Sequence, residues 1–183
     1  MGIKVLFIYP NTYGMNMVPP AIALFSALLK KDGHKVEIFD TTYYQTDYGI
    51  DSDGSQVDKL SVVPFNMEER GIRLKTTAWK DDLKKQIERY QPDLLALSTT
   101  EDMWELGVKI LEEIKDYKVK NKVPTVAGGV FPTFAPEIVI LIILKLSGNI
   151  FLGYLMSYDF FFINFKWIKL IIKNSSNSFE IFS

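Results

Sequence analysis

The sequence predicts an α/β domain built on a doubly wound parallel sheet, with its last strand and helix missing or replaced by an atypical tail. Three observations carry this. Short apolar runs rich in branched and aromatic residues alternate with longer segments of helical period from the first residues to Glu137. These runs are continuous rather than alternating, as strands buried on both faces read. The last of them, Thr125 to Ala127, enters Gly128-Gly129, where the backbone can take positive φ and come close to another group.

The elements follow in order. Ile3 to Tyr9 is the first strand, stopped by Pro10-Asn11. A polar loop leads to Pro19-Pro20, and proline is tolerated in a first helical turn. The helix runs to Lys31, with Ile22, Leu24, Phe25, Leu28 and Leu29 as its apolar stripe and Gly33 beyond its end. Val36 to Phe39 is the second strand, closed by Asp40. The crossover rule makes this unit right-handed.

Residues 41–78 form an irregular insertion, polar and without a sustained period. A short helical turn is expected near Asn66 to Gly71, and Tyr43, Tyr44 and Tyr48 are read as loop packing. Trp79 to Tyr90 is an amphipathic helix stopped by Gln91-Pro92. Asp93 to Ser98 is the third strand. A helix follows to about Tyr117, with Glu101 and Asp102 as charges at its positive end and Trp104 facing either the core, which is favoured, or the ligand mouth. Val123-Pro124 opens the fourth strand. The alternation is that of the flavodoxin or Rossmann type.

From Val139 to Ser183 the style breaks. The segment contains no Arg, Ala, Pro, Thr, Gln or His. The run Asp159 to Phe165 fits neither a helical nor a strand period. Membrane crossing is not expected, because the longest uncharged internal span, Leu146 to Tyr158, is short of the roughly 20 residues required. Two other readings stand: a divergent last strand at Ile150 to Leu155 with a helix, or the loss of the natural continuation. The second is favoured, since the segment lacks turn and cap signals. Residues 1–138 are then the domain, and 139–183 an anomalous apolar tail.

Composition narrows the chemistry. The 183 residues suffice for one domain, and the formal net charge of −1 gives no field that would attract nucleic acid. There is no cysteine, which excludes disulfides, thiolate zinc sites, cysteine nucleophiles and iron–sulfur ligation by this chain. A reducing compartment, the cytoplasm, is expected. The single histidine, His34, rules out multi-histidine metal sites and reads as a surface residue at a helix C-terminus.

Three strand ends should converge: Pro10-Asn11-Thr12-Tyr13-Gly14, Ser98-Thr99-Thr100-Glu101, and Gly128-Gly129-Val130-Phe131-Pro132-Thr133. They offer backbone amides, hydroxyls, one amide side chain and flat apolar surface, but no nucleophile–base pair. That is the inventory of a binding site. The Asn11 to Asn16 loop is only loosely like a flavodoxin phosphate loop, since the helix starts several residues later.

The chain resembles the N-terminal cobalamin-binding domain of B12-dependent radical SAM enzymes. The resemblance lies in Lys4 to Asn11, Pro19-Pro20 with a leucine-rich helix, Gly33-His34-Lys35-Val36 with Asp40, Pro92 to Ser98, and Gly128 to Glu137. It spans about Gly2 to Glu137. It implies a Rossmann-like sheet whose strand ends hold cobalamin, with Pro10, Asn11 and Tyr13 near the corrin. Ser98, Thr99 and Thr100 would hydrogen-bond the ligand, and Gly128, Gly129, Val130, Phe131, Pro132 and Thr133 would pass close to its nucleotide tail. No histidine stands where the Asp-x-His-x-x-Gly cobalamin motif would lie, so the resemblance implies no lower histidine ligand to the cobalt. The iron–sulfur cluster and SAM belong to a catalytic half that this chain does not carry. The expected partners are cobalamin and a separate radical SAM half. The alternatives are a flavodoxin-like FMN-binding protein and a ligand-free interaction module.

Overall fold

The computed structural model describes residues 2–12, 18–46, 68–71, 73–147 and 150–152. Strands β1 (Lys4–Tyr9), β2 (Lys35–Asp40), β3 (Leu94–Ser98), β4 (Thr125–Gly128) and the three-residue β5 (Ile150–Leu152) pair in the order β2-β1-β3-β4-β5. Every pairing is parallel, with Val5 between Val36 and Leu94, and Leu97 beside Ala127. The helices are α1 (Pro20–Lys31), α2 (Trp79–Tyr90), α3 (Trp104–Glu113), α4 (Lys115–Asn121), α5 (Val130–Phe134) and α6 (Pro136–Ser147). This is the expected doubly wound α/β arrangement, but α6 runs on past residue 138 with Val139 buried in the core, and β5 falls within the Ile150 to Leu155 stretch read as a divergent last strand. The chain leaves β1 for β2 on one side and returns to β3 on the other, so the strand order reverses between β1 and β3.

Side-chain alternation sorts the core into two layers. Val5, Phe7, Tyr9 and Leu94 pack with Ile22 and Leu29 of α1. Leu6, Ile8, Phe39, Leu95, Leu97 and Ala127 face the other way, onto Leu83 and Ile87 of α2, Leu106, Ile110 and Leu111 of α3, and Val139 of α6. Of the stripe read for α1, Ile22 and Leu29 are buried, Phe25 and Leu28 half-buried, and Leu24 exposed. Pro20 takes the first helical position, and the Pro19 carbonyl accepts from the Ile22 amide at 3.0 Å. Gln91 adopts φ 49° and ends α2, with its amide on the Ile87 carbonyl at 2.8 Å.

Three local departures are instructive. The helix read as continuous to Tyr117 is two helices, broken at Ile114, which takes φ −109° and ψ 14° with its side chain buried. No proline or glycine stands at the break. Phe131-Pro132-Thr133, read as a connection, lies within the short helix α5, and Pro136 then opens α6. His34 is half-buried, and its Nδ1 accepts the Ile3 amide at 3.1 Å, tying the end of α1 to the start of β1.

The insertion is anchored at both ends of its described residues. The Lys75 amide donates to the Tyr43 carbonyl at 2.8 Å. The buried Tyr44 hydroxyl accepts from Lys75 Nζ at 2.8 Å and donates to Asp82 of α2 at 3.0 Å. Thr77 donates to the same Asp82 oxygen at 2.6 Å, and these hydrogen bonds hold the Asp82 carboxyl below its ordinary pKa. Tyr43 is exposed. The expected turn is a 3₁₀ segment at Glu68–Arg70. Tyr48 and residues 47–67 lie outside the described residues, as do 153–183. No helix among the described residues is long and apolar enough to cross a membrane.

One buried charge stands apart. Lys118 of α4 is 2 % exposed, and its Nζ has no partner among the described residues. Burial lowers its pKa from 10.5 to about 8. The unfolded chain therefore holds that proton more tightly than the folded one, which costs stability at neutral pH. Stability should rise with pH from about 8 towards the ordinary lysine value. Lys118→Met is expected to raise unfolding free energy at pH 7 by on the order of 1–3 kcal/mol, with the gain shrinking by about pH 10. Urea unfolding of both proteins at the two pH values measures this.

Candidate functional site

Ligands of open α/β sheets bind at the carboxyl ends of the strands where strand order reverses. Here that edge is formed by Pro10-Asn11-Thr12 after β1, Thr41-Thr42 after β2, Ser98-Thr99-Thr100 after β3 and Gly128-Gly129 after β4. Polar residues at this edge are buried: Asn11 is 1 % exposed and Thr41 0 %. A buried polar group without a partner is costly, and these largely satisfy one another. The Asn11 amide donates to Thr41 Oγ1 at 2.7 Å, and that hydroxyl donates back to the Asn11 carbonyl at 2.7 Å. Asn11 Nδ2 donates to Thr42 Oγ1 at 2.8 Å, and Thr42 Oγ1 donates to Asp40 at 2.5 Å. The ends of β1 and β2 are thus locked together. The side chain of Asn11 acts within this lock.

At the ends of β3 and β4 the constraint is steric. The Thr99 amide donates to the Gly128 carbonyl at 3.1 Å. Gly129 has φ 103°, and a Cβ there would fall 2.8 Å from the Thr99 nitrogen and closer still to its carbonyl oxygen. Gly128 differs: it has no positive φ, and a Cβ there would meet nothing within 4 Å among the described residues. The first glycine lies against open space and the second against backbone. The Thr99 hydroxyl donates to the Thr100 carbonyl at 2.9 Å, and Thr100 Oγ1 donates to Asp102 at 2.5 Å. Glu101 and Asp102 immediately precede α3, as read, and the Glu101 carbonyl accepts from the Trp104 amide at 3.1 Å.

The residues after Gly129 divide between core and surface. Thr133 Oγ1 donates to the Gly129 carbonyl at 2.7 Å, bracing α5 over the turn. Phe131 packs on the buried Trp104 with ring centroids 5.2 Å apart, and Pro132 is buried. Val130 and Phe134 are 60 % and 83 % exposed. Two buried polar atoms at this edge have no partner among the described residues, Trp104 Nε1 and Thr12 Oγ1. Tyr13 lies outside the described residues.

Sequence reasoning missed Gly107. It lies in α3, and a Cβ there would sit 3.2 Å from Leu97 and 3.3 Å from Pro10. Its absence lets α3 close down on the ends of β1 and β3. A glycine inside a helical pattern was the available signal. Sequence reasoning also missed a groove of about 390 Å³ beside the outer strand β2, lined by Asp40, Tyr44, Lys75, Lys85 and Arg89.

The site's electrostatics are mild. Tyr9 is held above its ordinary pKa by burial first and by Asp40 and Asp102 second. No group of three or more metal-ligating side chains exists among the described residues. His34, the chain's one histidine, is at the opposite end of the sheet, beside the start of β1. Among the described residues the edge offers hydroxyls, backbone amides and exposed apolar surface, and no nucleophile–base pair.

No family model matches the chain, and no curated protein matches it. Its fold is similar to that of TsrM from Kitasatospora setae, a radical S-adenosylmethionine methyltransferase. In the structure with cobalamin and a [4Fe-4S] cluster bound, the identity is 18 %, the TM-score 0.50, and the match covers 77 % of this chain and 22 % of that one. For the structure with tryptophan and a SAM analogue, the values are 18 %, 0.47, 74 % and 21 %. This chain thus spans about a fifth of that enzyme's length. The likeness is one of fold.

The two glycines give a matched test. Gly129→Ala should cost roughly 2–4 kcal/mol, combining left-handed strain with a backbone clash. Gly128→Ala should stay within about 0.5 kcal/mol. Denaturant midpoints of the two variants measure the difference.

Proposed function

We propose that the strand-end edge binds cobalamin, and that the chain is the cobalamin-binding part of a B12-dependent radical SAM methyltransferase-like protein, not catalytic alone. The observation that supports this reading is the space over Gly128, at the ends of the adjacent strands β3 and β4, which is open among the described residues. Backbone there can meet a large ligand without a side chain intervening.

The donor set fits the ligand's chemistry. A corrin is flat and apolar with a rim of amides. The exposed Val130 and Phe134 supply apolar surface. Thr12 Oγ1 and Trp104 Nε1 are buried polar atoms without a partner among the described residues, and amide groups would satisfy them. Pro10 and Asn11 border the corrin, Ser98, Thr99 and Thr100 hydrogen-bond the ligand, and the Gly128 to Thr133 segment flanks its nucleotide tail. When bound, cobalamin supplies a cobalt centre that exchanges methyl groups. The chain's own contribution is to orient the ring and to leave the lower face of the cobalt without a histidine ligand, since its one histidine is remote from the edge. With no cysteine in the chain, an iron–sulfur cluster and SAM would come from a separate radical SAM half.

Purified protein incubated with hydroxocobalamin is expected to retain corrin absorbance through desalting at close to one equivalent. Gly128→Leu should abolish retention while far-ultraviolet circular dichroism and the melting midpoint stay unchanged. Folded wild-type protein that keeps no colour overturns the reading, and protein that purifies yellow points to a flavin instead.

A further inference from the structure

Helix α6 is apolar almost all the way round. Of its 12 residues, Pro136–Ser147, the charged ones are Glu137 and Lys145. A surface helix ordinarily sets an apolar stripe against a polar face, and a helix apolar on every side is buried on every side. One side of α6 is accounted for. Val139 is fully buried in the core, and Ile142 packs against that core half-buried. The helix rests on α3, α4 and β5. The other side faces solvent: Ile138 is 50 % exposed and Leu141 62 %. Phe134, just before α6, is exposed too, but belongs to the strand-end edge.

The placement of the two charges selects what covers this side. Glu137 and Lys145 stand four residues before and four residues after Leu141. Positions four apart lie on one helical face. Along that face the order of positions is therefore acidic, apolar, basic. Reversed, this order complements itself. With a second α6 laid antiparallel and a two-fold axis at Leu141, position 137 of each copy comes opposite position 145 of the other, and the apolar centres meet. A parallel pairing would set like charges side by side. A two-fold contact between identical chains requires a patch that is complementary to itself in this way.

We propose that α6 is a contact between two copies of this chain, packed antiparallel through Ile138 and Leu141 about an axis at Leu141. Two helices each about 18 Å long bury little surface, which puts the pair among the weak associations of under roughly 1,200 Å². Dimers are expected at micromolar concentrations. The inference does not depend on what the strand-end edge binds.

The chain has no cysteine, so an introduced thiol reports alone. Full-length Leu141→Cys is expected to form a disulfide-linked dimer under mild oxidation, read on a non-reducing gel and by mass spectrometry of the digest. Leu24→Cys, at an exposed position on α1, should stay unlinked at the same concentration. In sedimentation velocity at low salt, Glu137→Lys and Lys145→Glu should each weaken the dimer at least about tenfold, and combining them should restore it to within about threefold of wild type. Circular dichroism matching the wild type shows that each variant is folded. Wild-type protein that stays monomeric up to its solubility limit overturns the proposal. So does a Leu141→Cys thiol that links no faster than that of Leu24→Cys, or one shielded from maleimide in the monomer, since another part of the chain would then cover α6. A doubly reversed variant no better than the single ones also overturns it.

Discussion

The structure depends on β1 being paired on both sides and buried on both faces. Its backbone bonds to β2 and β3, and its side chains alternate between the α1 layer and the layer of α2 and α3. A strand so placed leaves polar groups only at its ends. Its carboxyl end, Pro10 to Thr12, therefore becomes the place where loops from both directions must meet. The reversal of strand order beside it opens the crevice that ligands of this fold class use.

The candidate edge is stiff because its polar residues serve one another first. Asn11, Thr41, Thr42 and Asp40 close a network between β1 and β2, and Thr133 braces the Gly129 turn. Gly129 is pressed against the backbone of Thr99, while Gly128 beside it stays open. Preorganisation of this kind lowers the ordering cost of binding a large ligand. Ion pairs between elements add modest surface ties. Arg89 grips Glu37 with two contacts, at 2.9 and 2.6 Å, and Lys80 and Lys84 converge on Glu113 at 3.1 and 2.6 Å.

Much of this was legible in the residues. The boundaries of α2 and the breaks at Gln91-Pro92 and Gly33 follow from local chemistry that acts over one helical turn. The apolar runs of β1, β3 and β4 announce burial without reference to any partner. The strands β1, β3 and β4, whose ends the sequence brought together, are neighbours in the parallel sheet. Which of their side chains are free was not legible: Asn11 looked like a ligand donor, yet its amide is occupied by Thr42, far away in sequence. Likewise the sequence did not show that Phe131 packs on Trp104 or that Pro132 is buried. The role of Gly107 depends on how closely α3 approaches Pro10 and Leu97.

The Gly-Gly turn shows where the boundary lies. By itself the sequence determined that a strand ends in two residues without side chains, because glycine's conformational freedom is a local property. It also determined that the chain cannot ligate an iron–sulfur cluster through cysteine, because composition alone decides that. Only the tertiary structure decided that Gly129 is the constrained glycine and Gly128 the open one. The difference comes from the position of the Thr99 backbone on the neighbouring strand, a contact set by strand register rather than by anything within the turn.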